Sequence, residues 1–231
     1  MAPALFHPAG KRVLGYLTVR SDHGPAVQKE RTFTETARRA QIVAAAIETI
    51  AEVGYAQASM ARIAERVGIT KGVIAYHFDG KAELIREVVA EVVAESEAYM
   101  RPRVLAHSTG ADMLRAYIEA NLGFMGEHRA QVIAIAEIAR NARRADGSSS
   151  FDPSTLDMAT RGLAQLLAGH QSTGEFRADF DPLAVAGAIR AAIDAVPRAL
   201  ARDPSLDVEH HARELATLFD LATRDPRPRG D

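Results

Sequence analysis

Apolar residues recur along this chain at helical spacing. Ile42, Val43, Ala46, Ile47, Ile50 and Val53 form one stripe of a 3.6-residue repeat, with Arg38, Arg39, Glu48 and Glu52 on other faces. A helix is therefore expected from about Thr36, ended by Gly54 in a left-handed conformation before Tyr55. Ser59 is a good N-cap for a short helix carrying Met60, Ile63, Ala64 and Val67, and Gly68 breaks it. Thr70 caps another through about His77, which Asp79-Gly80 ends. A long amphipathic run then extends from Lys81 to about Met100, where Pro102 should allow little continuation. Further helices are predicted over 111–126, 129–142, 154–169, 182–201 and 208–223, separated by Gly126-Glu127-His128, Gly147–Ser150, Gly174 and Asp203-Pro204. Asp152-Pro153 and Asp181-Pro182 each put an N-cap acid before a proline suited to the first turn. Residues 1–34 show no sustained period, Val13–Val19 being at most a short extended piece, and 225–231 has the composition of a disordered tail. The expected fold class is all-α.

Composition narrows the chemistry. The chain has no cysteine, which excludes a disulfide framework, a thiolate metal site and a cysteine nucleophile. Its apolar runs are too short to span a bilayer and no continuous apolar leader opens the chain, so a cytoplasmic protein without membrane partners is expected. The net charge of −2 argues against a chain that coats itself in nucleic acid, but it hides a split. Residues 1–81 carry a net +4, including all four lysines (Lys11, Lys29, Lys71, Lys81), and residues 82–231 a net −6. Two readings stand: a basic, polyanion-facing module on an acidic body, or compositional drift.

The stretch from Ser59 to Lys81 concentrates the candidate chemistry. Two helices of about two turns each meet at Gly68-Ile69, the spacing of a helix-turn-helix. A second helix of about eight residues is roughly 12 Å long, close to the width of a DNA major groove. It presents Lys71, Gly72, Val73, Tyr76 and His77, while Ile69, Ile74 and Phe78 can face Ile63, Val67 and Ile47 in a small core. Ser59 and Thr70 stand at helix starts, where hydroxyl, free amides and dipole favour a phosphate. Spacing alone fits an ordinary capped helical hairpin equally well.

This stretch resembles the DNA-binding domain of TetR (tetracycline-repressor-like) transcriptional regulators, over roughly residues 36–90. The matching elements are Gly54-Tyr55, Ile63-Ala64, Gly68-Ile69-Thr70-Lys71-Gly72, His77-Phe78, Lys81 and Glu83-Leu84-Ile85. Gly174-Glu175-Phe176-Arg177 followed by Asp181-Pro182 extends the likeness more loosely. The resemblance implies a helix-turn-helix domain over 35–80, between an N-terminal extension over 1–34 and a helical effector-binding and dimerisation domain over 81–224. It implies that Lys71, Gly72 and Val73 sit at base edges, and that Ser59, Thr70, Tyr76, His77 and Lys81 hold phosphates. His77 has a structural hydrogen bond as its alternative. Ala75 stands where the family usually has a tyrosine that meets the DNA backbone, which puts one contact in doubt and leaves Tyr76 as a neighbouring candidate.

The resemblance further implies an effector pocket in the body. Met113, Tyr117, Phe124, Met125, Glu137, Arg140, Asn141, His170 and Gln171 are the polar and soft residues available to line it. It also implies a homodimer through the last two helices, with Leu183, Ala186, Ile189, Ile193, Val196 and Leu200 on one and Leu215, Leu218, Phe219 and Ala222 on the other. Lys11, Arg12, Arg20, Lys29 and Arg31 belong either to a DNA-contacting arm or to a flexible extension.

Other constellations are weaker. Adjacent His210 and His211 diverge on a helix, and His211 with Glu214 supplies too few ligands for a metal. Glu83, Glu87, Glu91 and Glu95 have the spacing of a solvated helix face. Ser148–Ser150 lacks the strand and glycine bracket of a nucleophile elbow. With no catalytic signature and no cofactor loop, a non-enzymatic repressor is expected, binding operator DNA as a homodimer and released by a small molecule. A helical enzyme or carrier, and a DNA-binding protein without an effector, are the rivals.

Overall fold

The computed structural model describes residues 33–142, 153–203 and 205–225. The described residues form the helices α1 (Phe33–Val53), α2 (Met60–Val67), α3 (Lys71–His77), α4 (Gly80–Leu105), α5 (Gly110–Glu127), α6 (Arg129–Ala142), α7 (Pro153–Ser172), α8 (Pro182–Arg202) and α9 (Val208–Thr223). The all-α expectation holds, and among the described residues the one departure from helix and loop is an isolated antiparallel bridge between Phe176 and Arg224. Among these residues no helix is long and apolar enough to cross a membrane. The extended piece at 13–19, the basic candidates before residue 32, the serine loop and the tail after residue 225 lie outside the described residues.

Two boundaries differ from expectation. α1 begins at Phe33 rather than Thr36, with Glu35 in its first turn facing the positive end of the dipole. α4 runs through Pro102 to Leu105. A proline removes only its own amide from the ladder, and the Ala106 amide already donates back to Pro102 at 3.1 Å. The Arg103 guanidinium donates to the Tyr99 carbonyl at 2.7 Å, adding a bond in the turn where the proline ring sits. The caps at Ser59 and Asp181 behave as their residue types dictate. Ser59 accepts from the Arg62 amide at 3.2 Å, and Asp181 accepts from the amides of Leu183 and Ala184 at 2.7 and 3.3 Å.

The described residues fall into two compact units. The first holds 33–92 and 130–142, so α6 and the start of α4 group with α1–α3. Here α1 packs on α2 and α3. Ile42, Ile47, Ile50, Ile63, Ile74 and Phe78 are buried, which gives the small core foreseen, although Val67 and Ile69 stay half-buried at its edge. The second unit holds 93–129 and the described residues from 153 onward. α5 is its centre, packed against α7, α8 and α9. The loop after α7 fastens this unit. The Arg177 amide and Nε donate to the carbonyls of Thr223 and Ala222 at 3.0 and 2.7 Å. Glu175 accepts from the Gly110 amide at 2.6 Å, and its other oxygen lies 3.0 Å from His170 Nδ1. Gly110 must lack a side chain, because a Cβ there would stand 2.5 Å from His170 Cγ.

Candidate nucleic-acid interface

The head presents its second short helix to solvent on three sides. Gly68, at φ 74°, makes the turn between α2 and α3, and its following amide returns to Ala64. Ile74 and Phe78 pin α3 inward, whereas Thr70, Lys71, Gly72, Val73 and Tyr76 are exposed. Ser59 is exposed at the start of α2, its hydroxyl engaged as the cap. Thr70 is the N-cap residue of α3, but its hydroxyl makes no capping hydrogen bond. The exposed row therefore carries a cation, a backbone bared by glycine, a small apolar side chain and a phenol. That set suits phosphate oxygens and base edges.

Two predicted contacts are partly drawn into the protein. Lys81 is half-buried. Its Nζ donates to the Tyr55 carbonyl at 2.7 Å and lies 4.3 Å from the Tyr55 ring centre. Burial lowers the ammonium pKa from its usual value. His77 is half-buried too, its ring edge-on to Tyr76 at 5.1 Å and its carbonyl receiving the Arg39 guanidinium. Tyr76 is three-quarters exposed, with its hydroxyl 3.2 Å from Glu35 on α1.

Arg39 was assigned above to an outer face and is instead buried, 7% exposed. It lies 3.3 Å from Glu83 and 3.1 Å from Glu87, with its guanidinium carbon 4.0 Å from the Phe78 ring centre. The reading of the glutamate repeat as a solvated face is corrected accordingly, since two of its four members neutralise a buried cation. A signal was present. Positions 39, 42, 43 and 46 share one face, so Arg39 stood on the apolar stripe itself.

Residues 42–88 match the family described as bacterial regulatory proteins, tetR family. This segment is a tetR-family domain. The chain is 35% identical over 88 residues to the HTH-type transcriptional regulator BetI of Stenotrophomonas maltophilia (strain R551-3), an overlap of 38% of this chain and 45% of that one, so it spans under half of that relative. With BetI of Paraburkholderia xenovorans (strain LB400) it shares 28% identity over 187 residues, 71% of this chain and 94% of the relative. Its fold is also that of AibR, solved in complex with isovaleryl coenzyme A and operator DNA, at a TM-score of 0.66 and 19% identity, covering 78% of this chain and 97% of AibR. The family match thus falls on the helices α1, α2 and α3 and the start of α4.

The candidate effector residues divide between the two units. Met113, Tyr117, Phe124 and Met125 are buried on α5. Tyr117 is joined by Asn121 in accepting from Arg190 of α8, at 3.0 and 3.2 Å, and Arg190 also bonds Asp194 at 2.5 Å. This buried polar cluster escaped sequence reading because Arg190 follows Ile189 on an otherwise apolar helix. Phe124 stacks on His128 at 4.3 Å and meets Tyr99 edge-on at 5.7 Å. His170 is tied to Glu175, and Gln171 donates to the carbonyls of Arg177 and Phe180, both at 3.0 Å. Glu137, Arg140 and Asn141 lie in the first unit and bind one another: Arg140 pairs with the Glu137 carboxylate and Asn141 donates to its carbonyl at 2.8 Å. The Glu137 carboxylate also lies 3.4 Å from the Tyr55 amide. Among the described residues no group of three or more His, Asp and Glu side chains is placed to hold a metal ion.

The expected dimer face is corrected in part. Ala186, Ile189, Ile193, Val196 and Leu200 are buried within the single chain, where α8 packs on α5 and α7. They build the protomer. The apolar surface left on the last two helices is Leu183, Leu218 and Leu221, each more than half exposed, with Leu215, Phe219 and Ala222 half-buried beside them. Exposed Ala184, Ala188, Ala191 and Ala195 continue the surface along α8.

Proposed function

We propose that this chain is a homodimeric repressor that holds a roughly palindromic operator through α3 and is released by a small-molecule effector bound in the helical body. The observation that carries the reading is the exposed row Thr70, Lys71, Gly72, Val73 and Tyr76 on a short helix whose opposite side is pinned by Ile74 and Phe78. Lys71, Gly72 and Val73 contact base edges. Ser59, Thr70, Tyr76, His77 and Lys81 contact phosphates, Lys81 through the donors that its bond to Tyr55 leaves. Half-sites about 34 Å apart suit two such heads related by a twofold axis. The exposed apolar residues of α8 and α9 supply that axis. An effector needs only a difference in affinity between the DNA-bound and released arrangements of the heads to act as inducer. AibR, which shares the fold, was solved with both an acyl thioester and its operator.

Selection of bound sequences from a random duplex pool tests the reading. Enrichment of an inverted repeat by the full chain is expected. A chain that binds duplex DNA weakly and enriches nothing refutes it. A reporter driven by the enriched site then separates repression from activation, and a rise in expression upon deletion of the gene is the expected sign.

A further inference from the structure

Arg39 is the one buried cation described in the head, and its contacts converge on the far end of the recognition helix. A buried guanidinium is destabilising unless its charge and donors are met. Here the carbonyl of His77, the last residue of α3, takes one donor, and Glu83 and Glu87, successive turns of α4, take the opposite charge. The Phe78 ring, which ends α3, lies under the guanidinium plane at 4.0 Å. Glu83 also accepts from the Asp79 amide at 2.5 Å, which fixes the two-residue link between α3 and α4. One side chain of α1 thus fastens the C-terminal end of α3 to α4. α3 has only seven residues and one buried anchor of its own, Ile74, with Phe78 just past its end, so its axis is set by what holds its ends.

We propose that Arg39 is a positioning residue for sequence reading: it touches no DNA, but sets the orientation of α3 in the groove by holding its C-terminal end to α1 and α4. The proposal rests on α3 being the element that enters the groove. Base-edge hydrogen bonds fail with small rotations of the helix, whereas attraction to phosphates tolerates them. Loss of Arg39 therefore lowers affinity for the preferred sequence and leaves affinity for random sequence in place. Lysine cannot replace it. A point ammonium cannot meet a carbonyl, two carboxylates and a ring face at once.

The test uses the full chain and two equal-length duplexes: the sequence that wild type enriches from a random pool, and a scrambled version of it. Binding is measured by fluorescence anisotropy after the active fraction of each protein is fixed by stoichiometric titration. Arg39→Met and Arg39→Lys are expected to weaken the enriched duplex about tenfold or more, the worth of one good base contact, with the scrambled duplex and its salt slope unchanged. Glu87→Gln, at a half-exposed site, is expected to shift the ratio the same way by less. A purely stabilising Arg39 would lower Tm and the active fraction while the ratio for active protein stayed at wild type. That outcome, in Arg39→Lys and Glu87→Gln together, overturns the proposal, and these two variants decide it where Arg39→Met does not fold. A wild type that enriches no sequence refutes the groove reading, and with it this proposal. A wild type that enriches one, beside an Arg39→Lys that keeps the full ratio, refutes this proposal alone.

Discussion

Leu218→Lys separates the dimer face from the protomer core. Full burial of a leucine is worth about 1.5–3 kcal/mol. Leu218 is 57% exposed in the single chain, so roughly half of that, about 1 kcal/mol, remains to be gained at an interface. A twofold axis counts the residue twice, giving about 2 kcal/mol, or about a 30-fold rise in the dimer dissociation constant. The figure is a lower bound, because the lysine also brings its charge up to a copy of itself. Sedimentation equilibrium reads the constant directly, and circular dichroism should show an unchanged helical fold. Ile193→Lys is the counterpart. Its site is fully buried on the inner side of α8, so a charge there should unfold the body rather than dissociate it, with a loss on the order of 4 kcal/mol or more. Wild-type dimerisation in Leu218→Lys, or a folded monomer in Ile193→Lys, would show that the division of α8 and α9 into core and surface is wrong.

Gly110→Ala should destabilise the chain by about 1–2 kcal/mol, since overpacking against His170 outweighs the helix propensity gained. Urea unfolding measures this, and adding His170→Ala should recover part of the loss; an alanine variant as stable as wild type would place His170 elsewhere. Lys71→Ala should change the ranking of related operator sequences, and a uniform loss across them would count against base reading. Lys81→Ala should weaken all sequences alike and reduce the salt slope by about 1, and an unchanged slope would assign the side chain to Tyr55 alone. The Gly110 amide, opposed by partial burial and aided by His170, holds the Glu175 carboxyl below its ordinary 4.5. The stabilisation is therefore present above that value and lost as pH falls through the lowered one, so Glu175→Gln should flatten the acid limb of a Tm-against-pH curve. An acid limb identical to wild type would mean the carboxylate does not cap α5.

Helix existence was legible because each amphipathic stripe and each cap is a local matter. Ser59, Gly68 and Asp181 act within four residues of themselves, and the structure uses them as their types suggest. Pro102 misled because a proline forbids one rung and not the helix, and the neighbouring Arg103 adds a bond to that turn. The exposed face of α3 was legible from alternation with Ile74 and Phe78 and from the family pattern. Arg39 was not, because its partners lie 38 to 48 residues away and only their convergence makes a buried cation tolerable. Periodicity also marked Ile189 and Ile193 as apolar without saying which apolar neighbour they meet. A stripe facing α5 and one facing a second subunit have the same pattern, and only folding the chain tells them apart.

The meeting of Glu137 with the Tyr55 amide bears on how far such a regulator is modular. The compact head is discontinuous in sequence: residues 130–142 group with 33–92. A chimaera cut after α3 or midway along α4 would graft a foreign reading helix onto a native α6, leaving the carboxylate of Glu137 opposite whatever turn the donor supplied. A graft that carries α6 along with α1–α3 is therefore expected to keep this contact, and one that leaves α6 behind to lose it unless the donor offers an amide where Tyr55 now stands.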